Sequence, residues 1–482
     1  MTRITIIGAG PGGYTAAFEA ARKGAQVTLV ERAEMGGTCL NTGCIPTKTI
    51  KASAEALENA RRMKEFGVCG LEDPGALQID MGAVLERKSR VREILCGGLE
   101  KACGSLKIRL VRGMAELLSE GGVLVRSESG DEKIESDFII LATGSRCLDL
   151  PSLPVDHQHI LTSDDALNLS KVPKRLLIVG GGVIGCELAF IFKAFGSDVT
   201  VVEGQSRLLP LPSVDEDISR LLQREARKHG LKTELGRTVK SVELKDGKVA
   251  CTIAPSPFVK DSGSPESQCE VDMLFVTVGR APNTDGLNLA AAGVEADQRG
   301  WIKVDDTMRT SKENIYAVGD ALGPVRIMLA HSATAEGLCA VRNIMERTSY
   351  MNYAAVPSGI FTSPEIGTVG LSEAQAKEQN LDVRCATFQF RELGKAQAMG
   401  ELPGLFKLVC AQGGRILGVH IAGAHATDLI AEAALAVKHG LTVAELAETV
   451  HAHPTLAEGM YEAAEAWLRD NRPGDSRCAA PY

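Results

Sequence analysis

One pattern, met twice along the chain, limits what it can fold into. Ile4-Thr-Ile-Ile7 runs into Gly8-Ala-Gly10-Pro-Gly-Gly13, a helical stretch Tyr14–Lys23 follows, and Gln26–Val30 ends on Glu31, eighteen residues past Gly13. Downstream, Arg175–Val179 runs into Gly180-Gly-Gly182-Val183-Ile184-Gly185, with a helix through Cys186–Phe195. There Asp198–Val202 ends on Glu203, again eighteen residues past the last glycine. In such a strand–turn–helix–strand unit the first glycine makes the turn and the second admits a pyrophosphate. The third packs helix on strand, and the helix N-terminus faces the phosphates. A bare G-x-G-x-x-G says little. Two of them, each with an acidic residue in register, predict two Rossmann units and two bound dinucleotides. Glu203 can accept from a ribose 2′-hydroxyl and would repel a 2′-phosphate, so the second nucleotide is expected to be NAD rather than NADP.

Between these units lies Gly-Gly37-Thr38-Cys39-Leu-Asn41-Thr-Gly-Cys44-Ile-Pro-Thr-Lys48. On a regular helix, positions five apart point about 140° away from each other, beyond disulfide reach. A bond between Cys39 and Cys44 therefore needs an unwound turn, which Asn41-Thr-Gly43 would tolerate. It would close a tiny loop and add little stability, as a reactive bond does. Two unrelated buried thiols are the bland alternative. A zinc half-site is weaker, because four ligands are needed and the next cysteine is Cys69; no metal site is expected.

A chain of 482 residues suggests about three domains. Its net charge of −8 argues against nucleic-acid or anionic-membrane partners. The basic run Arg87-Lys88-Ser-Arg90-Val-Arg92, flanked by Glu86 and Glu93, reads as a solvated helix face. The 13 cysteines lack framework spacing, which suits a reducing compartment. A strand begins almost at Met1 and no apolar run reaches about 18 residues, so a cytoplasmic, membrane-free protein is expected. Helices are expected at Ile50–Lys64 and Asp80–Cys103, a small sheet at Val123–Ser136, a linker at 149–174 and a surface excursion at 254–268. From about 347, strands alternate with amphipathic helices, and the tail Arg469–Tyr482 is expected to fray.

With Ala142-Thr143-Gly144, Gly319-Asp320 and His453-Pro454-Thr added to the fingerprints and the cysteine pair, the chain resembles the flavoprotein disulfide reductase family over essentially its whole length. The resemblance implies an α/β fold: two Rossmann-like dinucleotide-binding domains, for FAD and NAD, and a C-terminal α+β dimerisation domain. The implied boundaries are 1–148 (FAD), 149–272 (NAD), 273–346 (completing the FAD site) and 347–482 (dimerisation). Glu203, Val183 and Met328-Leu329-Ala330-His331 resemble the branch that oxidises dihydrolipoamide with NAD as acceptor. The implied partners are a second copy of the chain and a lipoyl domain, either on the E2 of a 2-oxo-acid dehydrogenase complex or on the glycine cleavage carrier. Small departures are Gly181 in the second fingerprint, where alanine is commoner, the loop Phe390–Met399 and the long tail.

By the same resemblance, Cys39 exchanges with substrate and Cys44 lies against the flavin. His453 acts as base with Glu458 orienting it, and Lys48, paired with Glu187, faces the flavin. Gly8, Gly10, Gly13, Glu31, Gly37, Thr38, Gly113, Thr143, Gly144, Asp320 and Met328–His331 are implied around FAD. Gly180, Gly182, Val183, Ile184, Gly185, Glu187, Glu203, Val239 and Gly279 are implied around NAD. His331 could instead be a core histidine, His420 reads as structural, and His451 with His453 could form a metal pair. Competing functions are reduction of another small disulfide and service as a structural or redox-sensing subunit.

Overall fold

Ile4, Ile6 and Ile7 are buried on a strand, Arg3–Ile7, whose neighbours are equally apolar. Such runs belong to parallel sheets covered on both faces. In a computed structural model of the chain, residues 1–70, 72–260 and 265–471 are described. The tail beyond 471, with Pro473, Gly474, Cys478 and Pro481, and the centre of the 254–268 stretch therefore lie outside the described residues. Two compact units result. One comprises Met1–Leu150, Thr162–Lys171 and Val278–Met351; the other comprises Pro151–Leu161, Val172–Thr277 and Asn352–Tyr482.

In the first unit a parallel sheet runs in the order Ile315–Ala317, Phe138–Leu141, Arg3–Ile7, Gln26–Glu31, Arg109–Arg112. The helices Pro11–Arg22 and Ala330–Met345 meet almost backbone to backbone: a Cβ on Gly337 would lie 2.5 Å from the Gly12 carbonyl oxygen. The small sheet expected near Val123 is three-stranded and antiparallel, built from Met114–Leu117, Val123–Ser127 and Gly130–Ile134. The expected helices occupy Cys44–Arg62 and Met81–Ser105. The basic run on the latter is not wholly solvated. Lys88 is buried, and its ammonium donates to the Leu167 carbonyl at 2.9 Å and to Asn168 Oδ1 at 2.6 Å. Those bonds offset desolvation that a charge pattern does not reveal.

In the second unit four parallel strands, Lys232–Leu235, Asp198–Glu203, Arg175–Val179 and Met273–Val276, are flanked at the Met273–Val276 edge by Ile160–Thr162. The stretch expected as a linker thus contributes an edge strand. It also holds a short helix, Ser163–Ala166, closed by reciprocal bonds between Thr162 and Asp165. Its prolines, Pro151, Pro154 and Pro173, all fall outside those elements. A three-stranded antiparallel sheet, Arg237–Lys245, Lys248–Pro255 and Ser267–Val271, carries the 254–268 excursion between its last two strands.

The C-terminal part is α+β. An antiparallel sheet runs Ser358–Ile360, Ile366–Gly370, Ile416–Ala422, Leu405–Ala411, Val383–Gln389. The helices Ala426–His439 and Glu458–Asp470 pack on it over a core with Phe390, Phe406, Ile421 and Met460. Within this unit Lys407, only 3% exposed, donates to Asp215 at 2.9 Å, Asp217 at 2.6 Å and Glu373 at 2.7 Å. A single ammonium so ties the helix Glu216–Lys228 of the parallel part to the antiparallel part.

Candidate active site

The two fingerprints build the same cradle. Gly10 caps the helix Pro11–Arg22 and Gly182 caps Val183–Ala194, and in neither case does a side chain occupy the helix N-terminus. The amides there are left to bind an anion. A Cβ on Gly13 would sit 1.8 Å from the Gly8 carbonyl oxygen, and one on Gly185 would sit 1.9 Å from that of Gly180. Helix and strand therefore touch at the third glycine in both units. The acidic residues are held alike. Glu31 accepts from the amides of Ala9 (2.7 Å) and Ala33 (2.9 Å), and Glu203 from those of Gly181 (2.5 Å) and Gln205 (2.7 Å). These bonds fix both carboxylates at the ends of their strands.

In the first unit a cleft runs between Gly8, Glu31, Gly113, Thr143 and Asn283. Thr143 Oγ1 is buried there without a hydrogen-bond partner, and Gly37, at φ +56°, comes so near Gly10 that a Cβ would lie 2.6 Å from its Cα. An orphaned hydroxyl, a bare helix terminus and an anchored carboxylate fit a dinucleotide. In the second unit Ile184 is exposed at the open helix end and Val239 is buried, while Glu187 is buried and accepts from the Phe361 amide at 2.9 Å. Gly279 belongs to the first unit, where its carbonyl accepts from the Leu148 amide.

The cysteines lie at a break between two helices. Gly37–Asn41 carries Cys39, Thr42 and Gly43 leave helical geometry, and Cys44 opens the 19-residue helix Cys44–Arg62. This is the unwound turn that a bond between them requires, and the pair stands here as thiols, Cys39 half-buried and Cys44 exposed. The hydrogen bond with the Cys44 thiol, then burial, push the Cys39 thiol up, while the Lys48 ammonium pulls it down and Asp320 opposes that pull. Burial, with the negative charge that both cysteines can carry, raises Tyr14. Tyr14, Lys48 and Asp320 thus share the electrostatic surroundings of the dithiol.

Asp320 is anchored in turn. Ser145 Oγ donates to it at 2.7 Å, and Arg280 donates to Ser145 through Nε (2.6 Å to Oγ) and Nη2 (2.9 Å to the carbonyl). Buried Glu336 accepts from the Gly319 amide at 2.6 Å. Sequence reasoning assigned no role to Tyr14, Ser145, Arg280 or Glu336. Ser145 and Arg280 directly follow the quoted Ala-Thr-Gly and the Gly279 turn, and that adjacency was the available signal. Met328, Leu329 and Ala330 are half-buried at the entry to the helix Ala330–Met345, and His331 is exposed, which removes its reading as a core histidine.

In the second unit His453 Nδ1 lies 2.8 Å from Glu458 Oε1, and the Thr455 amide donates to Glu458 Oε2 at 2.8 Å. The Thr455 amide, then His453, hold the Glu458 carboxyl below the usual range. It is therefore an anion at neutral pH, and a neutral imidazole would carry its proton on Nδ1 and keep Nε2 basic. The His453 side chain is 78% exposed, so Nε2 is accessible from outside the unit. His451 is engaged with Glu432 and the Thr449 carbonyl, and among the described residues no group of three or more ligands could hold a metal. His420 is fully buried, with Nε2 3.1 Å from the Leu371 carbonyl.

The model for pyridine nucleotide-disulphide oxidoreductases matches residues 2–337, and that for their dimerisation domain matches 356–464. The chain belongs to this family. It is 41% identical over 462 residues to a dihydrolipoyl dehydrogenase of Chlamydia muridarum, covering 95% of each chain. It is 39% identical over 468 residues to one of Haloferax volcanii, covering 96% of each. Among solved structures, LpdA of Mycobacterium tuberculosis superposes with a TM-score of 0.87 at 27% identity over 96% of this chain and 99% of that one. RclA of Escherichia coli, described as an HOCl-induced flavoprotein disulfide reductase and solved as a Cu(II) complex, gives 0.83 at 26% identity over the same shares. No helix among the described residues is long and apolar enough to cross a membrane.

Proposed function

We propose that this protein is a dihydrolipoyl dehydrogenase, which oxidises dihydrolipoamide to lipoamide and reduces NAD⁺ to NADH, with FAD and NAD as cofactors. The observation that carries this reading is the Cys39–Cys44 pair at a helix break, beside Lys48 and Asp320 and next to the first dinucleotide cradle. FAD belongs to the first cradle, with Gly8, Gly10, Glu31, Thr143 and Asp320 about it, and NAD to the second, with Gly182 and Glu203.

The working oxidised form has a Cys39–Cys44 disulfide. His453 Nε2 takes the proton from one thiol of dihydrolipoamide, and Glu458 stabilises the imidazolium. The substrate thiolate attacks Cys39 Sγ, a mixed disulfide forms, and Cys44 leaves as a thiolate at the N-terminus of its helix, where positive potential favours it. The second substrate thiol then attacks its own mixed-disulfide sulfur, closing lipoamide, and its proton passes to the departing Cys39 sulfur, which is released as a thiol. Bound FAD supplies the two-electron link from the dithiol to NAD⁺. Lys48 places a positive charge beside the thiols, and Ser145 and Arg280 hold Asp320 in position.

We assign the protein to a homodimer in which the His453–Glu458 pair of one copy serves the thiols of the other. The dimerisation-domain match encloses both residues, and the exposure of His453 supports the reading. The further partner is a lipoyl domain, on the E2 of a 2-oxo-acid dehydrogenase complex or on the glycine cleavage carrier. The scattered thiols favour the cytoplasm. Anaerobic titration of the flavin-loaded protein with dihydrolipoamide tests the reading. A long-wavelength absorbance band at two electrons per subunit, discharged by NAD⁺ and not by NADP⁺, is expected. Bleaching without that band, or no reaction except with another disulfide, would refute it.

A further inference from the structure

The small antiparallel sheet of the second unit holds a second pair of thiols, remote in sequence from Cys39 and Cys44. Cys251 on the strand Lys248–Pro255 stands directly opposite Cys269 on Ser267–Val271, in an uninterrupted register from Val249↔Val271 to Ile253↔Ser267. Directly opposed residues of antiparallel strands have Cα atoms about 4.5 or 5.5 Å apart, and both separations lie within the roughly 4.4–6.8 Å that a disulfide spans. Strand alternation puts the pair on one face with Val249, Ile253 and Val271, all buried. We propose that Cys251 and Cys269 form a second, reversible disulfide by exchange with small-molecule disulfides.

The two thiols are unequal in the way such an exchange needs. Cys251 is 2% exposed, whereas Cys269 is half-buried on Ser267–Val271, the edge strand of the sheet. Their mutual hydrogen bond pulls the Cys269 thiol down and pushes that of Cys251 up, in the same sense as their exposure. Cys269 is therefore the attacker and Cys251 the resolving thiol. The Cys269 thiolate attacks one sulfur of the incoming disulfide, forming a mixed disulfide and expelling one thiolate. Cys251 then loses its proton to solvent and attacks Cys269 Sγ, expelling the second thiolate. The protein pair loses two electrons and the small disulfide gains them. Closure replaces two polarised thiols on an apolar face by one neutral bond, which suits burial.

The bond would also clamp the base of the excursion at 254–268. Buried Arg237 already grips that segment through the carbonyls of Pro265 (2.9 Å) and Ile253 (3.1 Å) and Ser267 Oγ (3.0 Å). The chain just past the hairpin strand leads toward the second cradle: the Ser256 amide donates to the Gly236 carbonyl, and the Gly236 amide to that of Gln205, whose own amide holds Glu203.

Trypsin cuts after Lys248, Lys260 and Arg280, so each cysteine falls alone in its own peptide, 249–260 and 261–280. The flavin-loaded full-length protein is equilibrated with oxidised glutathione, acid-quenched, alkylated, digested without reductant and analysed by mass spectrometry. A linked species two hydrogens lighter than the sum of the two peptides is expected, lost after dithiothreitol and absent from Cys269→Ser. In Cys251→Ser, glutathione should remain on Cys269. Recovery of both peptides singly alkylated would overturn the proposal. So would glutathione stopped on Cys269 of the unmutated protein beside an alkylated Cys251. The unmutated chain alone distinguishes these results, whatever the variants' stability.

Discussion

Replacing Lys407 by methionine removes an ammonium that is 3% exposed and leaves three carboxylates converging on an apolar side chain. Asp215 suffers most, being 2% exposed itself. Breaking a buried ion pair by deleting one partner costs about 3–5 kcal/mol. Asp215 keeps two other donors, the amides of Asp217 (3.0 Å) and Glu373 (3.1 Å), and the carboxylates of Asp217 and Glu373 are about a third exposed and can turn to water. The lower end, about 3 kcal/mol at neutral pH, is therefore expected.

The pH dependence has a definite sign. Burial resists ionisation of Glu373, but Lys377 and Lys407 hold its carboxyl down at about 2, and burial of Asp215 is likewise outweighed by Lys407. Carboxyls depressed on folding contribute stability that is present above their ordinary values, 3.8 for Asp and 4.5 for Glu, and lost as pH falls toward the folded ones. Acid thus erodes the unmutated protein's advantage. In Lys407→Met, Asp215 is buried without its cation, its pKa rises, and protonation relieves it. The deficit should shrink between about pH 5 and pH 3. Urea unfolding followed by circular dichroism at several pH values measures it, with Lys407→Met/Asp215→Asn recovering part of the loss. A deficit under about 1 kcal/mol at neutral pH, or one that widens in acid, would refute the reasoning.

Three further outcomes follow from the site. His453→Gln should lower turnover with dihydrolipoamide by about 10²–10⁴-fold while leaving bound flavin in place; unchanged turnover would remove His453 as the base. Gly13→Ala and Gly185→Ala each force a Cβ to within 2 Å of a carbonyl oxygen, at a cost of about 1–3 kcal/mol. The first should be purified with deficient flavin, and the second with full flavin but a raised KM for NAD⁺; the opposite pattern would reverse the assignment of the cradles. Glu203→Ala should narrow the preference for NAD⁺ over NADP⁺ by roughly tenfold, about 1.4 kcal/mol, as read from the ratio of kcat/KM values, and an unaltered ratio would acquit the carboxylate.

The glycine at 181, where alanine is commoner, also has a local meaning. A Cβ there would come 3.0 Å from both Glu203 Cβ and Leu208 Cδ2. The departure from the usual pattern matches the close seat of Glu203, a relation between residues more than twenty apart that no spacing rule contains.

Both parallel units, the helices after them and the break that a Cys39–Cys44 bond needs were legible in the sequence, whereas the roles of His453 and Glu458 came through the family resemblance. The features read directly depend on neighbours within a few tens of residues: glycines that only a tight turn or close approach uses, and apolar runs that must be buried. Charge patterning misjudged Lys88, and the expected linker at 149–174 hid the strand Ile160–Thr162, because both are settled by segments that arrive from elsewhere in the chain. The same holds for the anchoring of Asp320 by Ser145 and Arg280, for Lys407 amid Asp215, Asp217 and Glu373, and for Cys251 opposite Cys269. Local composition determined which chemistry the chain could carry. Only tertiary structure decided which charges and thiols meet, since burial and strand register exist only once distant segments share one core.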